Sequence, residues 1–335
     1  LTLLDKREYY KPFNYPWAYE AYKQQQRIHW LPDEVPLRED VRDWNRNLDE
    51  GEKNLLTQIF RFFTQGDVDV AQGYLHKYIP IFGHQPELAM MLSSFANMEA
   101  VHVDAYSLLL DTLGLPESEY QAFSKYTAMA NKHEYLSDVD TREIVIEARP
   151  VGASFAYKQR TAKGLAVYSA FTEGLQLFSS FAILLNFPRH NKMKGMGQIV
   201  TWSIRDESLH VESMIKLFET FINENPEIWT DDFRGELYQV CRDMVDLEDA
   251  FIDLAFEQGG IQDMEATDVK QYVRFIADRR LLQLGLKPNY GVKDNPLPWI
   301  DDMVSGVEHA NFFETRATEY TRANGTGWGN IFDNN

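Results

Sequence analysis

Cysteine is nearly absent from this chain, since Cys241 is the single one in 335 residues. One thiol cannot staple the fold, cysteine-based metal sites lack ligands, and a reducing, cytoplasmic compartment is the expectation. Basic residues are also scarce. Against 51 Asp and Glu stand 33 Lys and Arg, a formal net charge of −18. Phosphate backbones and anionic membranes demand the opposite balance, so neither a nucleic acid nor a membrane is an expected partner. Long apolar runs are missing as well. The stretch from Gly164 to Phe187 approaches the roughly 20 residues of one bilayer crossing, but Glu173 and Gln176 stand near its middle, where a charge is costly in lipid. No basic, apolar, cleavable leader opens the chain, which begins Leu1-Thr2-Leu3-Leu4-Asp5. Without an initial methionine, a trimmed start is expected.

Strand signals are few. What is present is apolar residues at three-and-four spacing in long blocks, the pattern of a helical protein. The blocks predict helices over 49–75, 86–114, 117–130, 138–186 with a break near Arg149-Pro150, 193–223, 226–258 and 266–285. Pro188 is expected to close the Glu173 helix, because the residue before proline is pushed out of helical geometry. With 44% hydrophobic and 25% charged residues the composition is that of a globular protein. The expected layout is an extended arm over 1–45, rich in Tyr, Trp and Pro, packed on a helical domain over 46–310. A flexible tail follows over 311–335, where periodicity fades and Gly325, Gly327 and Gly329 occur.

Two E-x-x-H pairs carry the chemistry. Glu99 with His102 and Glu207 with His210 each place an acid and an imidazole on one helical face. Each pair interrupts an apolar helix, with Phe95, Met98, Val101 and Leu109 around the first and Ile199, Ile204 and Leu209 around the second. A charged Glu turned into a core costs several kcal/mol unless it is paired or coordinated. One such pair is a weak signal, because a surface Glu and an incidental His arise in many helices. Order strengthens it. Asp69 precedes Glu99 and Glu173 precedes Glu207, so the chain twice reads as an acid and then E-x-x-H about one helical hairpin later. That is the ligand set of a four-helix di-metal carboxylate site. Oxygen and nitrogen donors suit iron or manganese better than a closed tetrahedral zinc site. Asp67 competes with Asp69 for the first position, and two residues apart on a helix they point in different directions. His29, His76, His84 and His133 lack partners at matching spacing and are expected to be surface or structural.

The stretches Met98-Glu99-Ala100-Val101-His102, Phe171-Thr172-Glu173-Gly174 and Arg205-Asp206-Glu207-Ser208-Leu209-His210, with Asp69 before Gln72-Gly73, resemble the metal-binding helices of the small, radical-generating subunit of class I ribonucleotide reductase. The resemblance extends from about Trp30 to Tyr320. It implies an all-α, ferritin-like fold, a homodimer, a large catalytic subunit as partner, and an activase or reductase protein as a further one. It implies a dinuclear centre of iron and/or manganese (Fe/Fe, Mn/Mn or Mn/Fe). Asp69, Glu99 and His102 would serve one metal and Glu173, Glu207 and His210 the other, with Glu99 and Glu207 bridging. Tyr106 stands where the family has its radical tyrosine, Trp30 resembles the transfer tryptophan linked through Asp206 to His102, and Tyr320 resembles the tail tyrosine that hands the radical on. The terminal Asn330-Ile331-Phe332-Asp333 resembles a docking peptide. The implied activity is reduction of ribonucleotides to deoxyribonucleotides for DNA replication, by the two subunits together. The oxidising equivalent would come from dioxygen or a reduced oxygen species.

Two positions depart from the family pattern. Ser203 stands four residues before Glu207, where a bulky aliphatic residue is common, and Leu177 replaces an expected Phe, while Phe181 fits. A hydroxyl beside the metals changes how easily Tyr106 is oxidised, and some relatives keep the oxidising equivalent on the metals instead. Two other classes share the ligands: a ferritin-like di-metal oxygenase or ligand-binding oxidase, and a storage or structural bundle. Neither has a use for Trp30, Tyr320 or a docking tail. With 29 residues before Trp30, no N-terminal nucleotide-binding module is expected in this chain.

Overall fold

The computed structural model describes residues 1–139 and 153–305. Among them there is no strand, and the chain is a bundle of long helices. Four of these surround the centre: Glu50–Gly73, Pro86–Leu113, a continuous rod through Phe155–Ala166, Val167–Gln176 and Leu177–Arg189, and Lys194–Glu224. Asp231–Ala255 and Ala266–Gln283 pack outside them. The helix Thr127–Val139 packs on Asp231–Ala255. Residues 1–297 form one compact unit. Of the second unit, which begins at Pro298, residues 298–305 are described.

Local chemistry sets the helix ends. Asp49 caps Glu50–Gly73 by accepting from the Glu52 amide at 2.8 Å, and the Glu52 carboxylate answers on the Asp49 amide at 3.1 Å, a capping box. Pro86 opens the Glu99 helix and Gly114, at φ 79°, ends it in the left-handed conformation that glycine adopts without strain. Asp40 accepts from the amides of Gly195 and Met196 at 2.9 and 2.8 Å. Its negative charge thus sits at the positive end of the Glu207 helix.

The first 45 residues differ from the extended arm expected of them. They contain the helices Pro16–Arg27 and Arg38–Arg46, and the expected boundary at residue 45 falls inside the second. Proline and aromatic residues hid a short periodicity in which Ala18, Ala21 and Gln25 face inward. Three smaller differences concern ends. Pro188 lies inside the last turn of its helix, which runs on to Arg189. The helix expected from 226 begins at Asp231, after a 3-10 turn over Pro226–Ile228. The block 117–130 is broken at Tyr126, whose extended backbone separates the turn Phe123–Lys125 from Thr127–Val139. The break near Arg149-Pro150, Tyr320 and the tail over 311–335 lie outside the described residues.

Among the described residues two segments wind as π-helix, Tyr74–Tyr78 directly after the first bundle helix and Val167–Gln176 within the third. Such turns concentrate at functional sites, and the second contains Glu173. The apolar stretch around Glu173 is a buried core helix, and among the described residues no helix is long and apolar enough to cross a membrane.

Candidate metal centre

Asp67, Glu99, His102, Glu173, Glu207 and His210 converge at the middle of the four helices, each essentially without solvent contact. Their donor atoms fall into two overlapping groups, within each of which all lie within 4.8 Å of one another. Asp67, Glu99, His102 and Glu207 make one group, and Glu99, Glu173, Glu207 and His210 the other. The acids common to both are Glu99 and Glu207, the two expected to bridge.

Asp69 is the exception among the expected ligands. Phe63 and Val70 fix the buried face of its helix, and Asp67 lies one turn from each. Two residues on, Asp69 is rotated about 200° from Asp67. There it accepts a hydrogen bond from Gln65 at 2.8 Å and pairs with His133 at 2.8 Å, its side chain 38% exposed. The structure therefore replaces Asp69 with Asp67 in the cluster, and gives His133 an acid partner that its spacing did not suggest.

Eight buried atoms of the cluster take part in no well-aligned hydrogen bond: both oxygens of Asp67, Glu99 and Glu207, Oε2 of Glu173 and Nδ1 of His210. The imidazoles are near, with His210 Nδ1 2.8 Å from Glu99 and His102 Nδ1 3.2 Å from Glu207. Buried polar atoms are rarely left so. Burial pushes the carboxyls of Asp67, Glu173 and Glu207 up. The charge of Glu99 reinforces this for all three. Glu99 itself is held down to about 2, because its burial is outweighed by the nearby His102 and His210 imidazoles. For His102, burial alone would lower the imidazole, but contacts with Asp206, Glu207 and Glu99 raise it. Four acids facing two imidazoles lack cations, and a pair of divalent ions fits the deficit and the donor set.

Outer partners orient both imidazoles. Asp206 Oδ2 lies 3.0 Å from His102 Nε2 and accepts from Trp30 Nε1 at 2.8 Å, and the Trp30 ring stacks on His102 at 6.0 Å. Gln25 was not found from the sequence. Its amide donates to Asp206 Oδ1 at 3.2 Å, and its carbonyl oxygen lies 3.0 Å from His210 Nε2. With both Nε2 atoms engaged outward, each ring turns Nδ1 to the centre, as metal-binding histidines require. The available signal was one polar side chain on the inward face formed by Ala18 and Ala21.

Tyr106 is fully buried, its ring edge-on to Phe63 at 4.6 Å, with Phe181 beyond Phe63 at 5.3 Å. Its hydroxyl donates to Ser203 Oγ at 3.3 Å. Burial and the charge of Asp67 both raise its phenol. Tyr320 lies outside the described residues.

Comparison with known families matches residues 7–296 to the family described as ribonucleotide reductase, small chain. A probable ribonucleoside-diphosphate reductase small subunit of Invertebrate iridescent virus 6 is 42% identical over 99% of both chains. The ribonucleoside-diphosphate reductase subunit beta of Chlamydia pneumoniae is 32% identical over 95% of this chain and 91% of its own. Among solved structures, the ribonucleotide reductase R2 subunit of Clostridium botulinum has a TM-score of 0.78 at 21% identity, covering 89% of this chain and 91% of that one. The dimanganese(II)-NrdF of Streptococcus sanguinis has a TM-score of 0.70 at 21% identity, covering 88% and 100%. At those identities the two structures establish the likeness of the fold.

Proposed function

Because the chain belongs to the ribonucleotide reductase small-chain family, and so is a radical-generating subunit of a class I enzyme, we propose that its buried cluster holds the dinuclear metal centre. The observation that carries this is the set of eight buried donor atoms without aligned partners in a fold of that family. Asp67, Glu99 and His102 would hold one metal and Glu173, Glu207 and His210 the other, with Glu99 and Glu207 shared. Oxygen and imidazole donors suit iron or manganese, as Fe/Fe, Mn/Mn or Mn/Fe. When bound, the pair supplies the one-electron oxidising equivalent.

The chain's own residues do the rest. Asp206 and Gln25 hold the imidazoles in one tautomer. Asp206 accepts from Trp30 and faces His102 through the same oxygen, so an electron leaving Trp30 and the proton on its indole nitrogen have one short route inward. Phe63 and Phe181 keep water from Tyr106. The hydroxyl of Ser203 gives that phenol a polar neighbour, and Tyr106 or the metals would store the equivalent. Small subunits of this family work with a large catalytic subunit and are typically dimers. Docking through the tail over 311–335, hand-over by Tyr320 and service by an activase or reductase protein belong to this proposal.

The test is metal loading followed by paramagnetic resonance and by turnover with the large subunit. Wild type should bind about two metals per chain and support ribonucleotide reduction, while Trp30→Phe should bind the same metal and lose turnover. Full turnover by Trp30→Phe would remove the transfer route. Loading below one metal per chain would remove the centre.

A further inference from the structure

Five of the six cluster residues stand on α-helices, and Glu173 alone lies in a π segment, Val167–Gln176. An α-helix fixes the direction of each Cα–Cβ bond through its own ladder of carbonyls and amides. A π turn is a rare winding, and helices leave regular geometry where a side chain from outside enters that ladder. Such a side chain is present. Arg280, on Ala266–Gln283, donates from Nε at 2.7 Å to the carbonyl of Gly174, the residue after Glu173.

We propose that Arg280 is the positioning residue of Glu173, holding the π turn through the Gly174 carbonyl and so aiming the carboxylate at the Glu173–His210 metal. The proposal rests on the metal-centre reading above. Arg280 carries neither proton nor electron, and its part is to set where one ligand stands. Glu173 is then gripped at two ends. Its backbone is held through Gly174, and Tyr74 donates to its Oε1 at 2.6 Å, which leaves Oε2 for a metal.

The fit around the guanidinium is specific. A β-carbon at position 174 would stand 2.7 Å from Arg280 Nε and 2.8 Å from the Ser169 carbonyl oxygen, closer than real contacts allow. Glycine after Glu173 is what admits the donor. The guanidinium lies over the ring of Phe178 at 5.0 Å, about one turn beyond Gly174 on the same face, and its Nη1 donates to Gln283 at 2.8 Å. Arg274 shows the alternative on the same helix. Its Nη1 and Nη2 donate to the Asp249 carboxylate at 2.9 and 2.6 Å, a bidentate pair that ties Ala266–Gln283 to Asp231–Ala255. Arg280 directs its Nε instead to a peptide carbonyl beside a metal ligand.

The test titrates metal-free protein with manganese(II), reads the two binding constants by equilibrium dialysis and records paramagnetic resonance. Arg280→Met, which removes the donor and keeps an unbranched side chain, should leave one constant as in wild type and weaken the other about 10–100-fold, the usual cost of losing an outer partner of a ligand. At an ion concentration that fills both positions in wild type, Arg280→Met should give the signal of an isolated ion instead of a coupled pair. Arg280→Gln should restore both constants, because its amide nitrogen is as many bonds from the backbone as Nε and donates to the same carbonyl. Gly174→Ala displaces the donor from the other side and should weaken the same constant, and it decides if Arg280→Met does not fold. Arg274→Met should leave both constants unchanged. Two unchanged constants in Arg280→Met, an equal loss of both, no recovery in Arg280→Gln, or the same weakening by Arg274→Met overturns the inference and leaves the metal centre standing. A wild-type chain that binds no manganese(II) overturns both.

Discussion

Lys132 and Glu248 lie as deep in the core as Glu99 and Glu207, yet the two groups meet the cost of buried charge differently. Lys132 Nζ pairs with Glu248 and sits between the rings of Phe62 and Phe251 at 4.3 and 4.7 Å. The other Glu248 oxygen accepts from Ser179 at 2.5 Å. Burial raises the Glu248 carboxyl and lowers the Lys132 ammonium, and each charge opposes the shift of the other. One cation answers one anion there. At the centre, four acids face two imidazoles whose outer nitrogens are already engaged. The first group is complete as a piece of protein, and the second is complete only with added cations. Burial of acids alone would not distinguish a structural pair from a functional site. The balance of charge does.

Mutation should act with opposite sign in the two places. The largest effect is expected for Lys132→Met, which strands Glu248 and should cost about 3–5 kcal/mol in thermal unfolding of the metal-free protein, while Lys132→Met/Glu248→Leu recovers most of it. A single variant that melts like wild type would deny the pair its structural part. Next comes Asp67→Asn. Removing one of the crowded acids should leave the metal-free melting temperature unchanged or higher. Equilibrium dialysis should find metal binding weakened by more than the roughly 100-fold that loss of an outer partner costs. Asp69→Asn should bind metal as wild type does, and the reverse outcome would return Asp69 to the site.

The smallest effect concerns pH. Asp67, Glu173 and Glu207 have carboxyls raised in the folded, metal-free chain, so that state holds more protons than the unfolded chain. The stability they contribute is present below the ordinary carboxyl range and is lost as pH rises through their raised values. Metal binds the deprotonated forms. The gain in melting temperature at fixed free metal should therefore be greater near pH 8 than near pH 6, as thermal scans of loaded and metal-free protein would measure. A gain that shrinks with rising pH would mean these acids are not the ligands. Glu99, held down to about 2, stays ionised across that window.

Legibility in the sequence followed the range of the interaction. The helix around Glu99 and the last long helix are read to within about two residues, the usual uncertainty of helix ends, because periodicity and caps are local. The E-x-x-H pairs and Glu173 were legible because charge interrupts apolar faces. Asp67 and Asp69 were not separable by motif, and the helix phase set by Phe63 and Val70 chose between them. Gln25 left only one polar residue on a short inward face. The π segments, across which Tyr74 meets Glu173, left no trace in composition, because the same apolar residues fill a π turn and an α turn.

The sequence by itself determined that this chain is helical, poor in cysteine and basic charge, and built around two E-x-x-H pairs with a partner acid before each. Those properties follow from composition, from periodicity within each helix and from the order of residues along the chain. Only the tertiary structure decided which acid completes the cluster, which amide orients the second imidazole and which phenol donates to a carboxylate. Those depend on how faces of separate helices meet, and packing across a core fixes distances that spacing along one chain cannot.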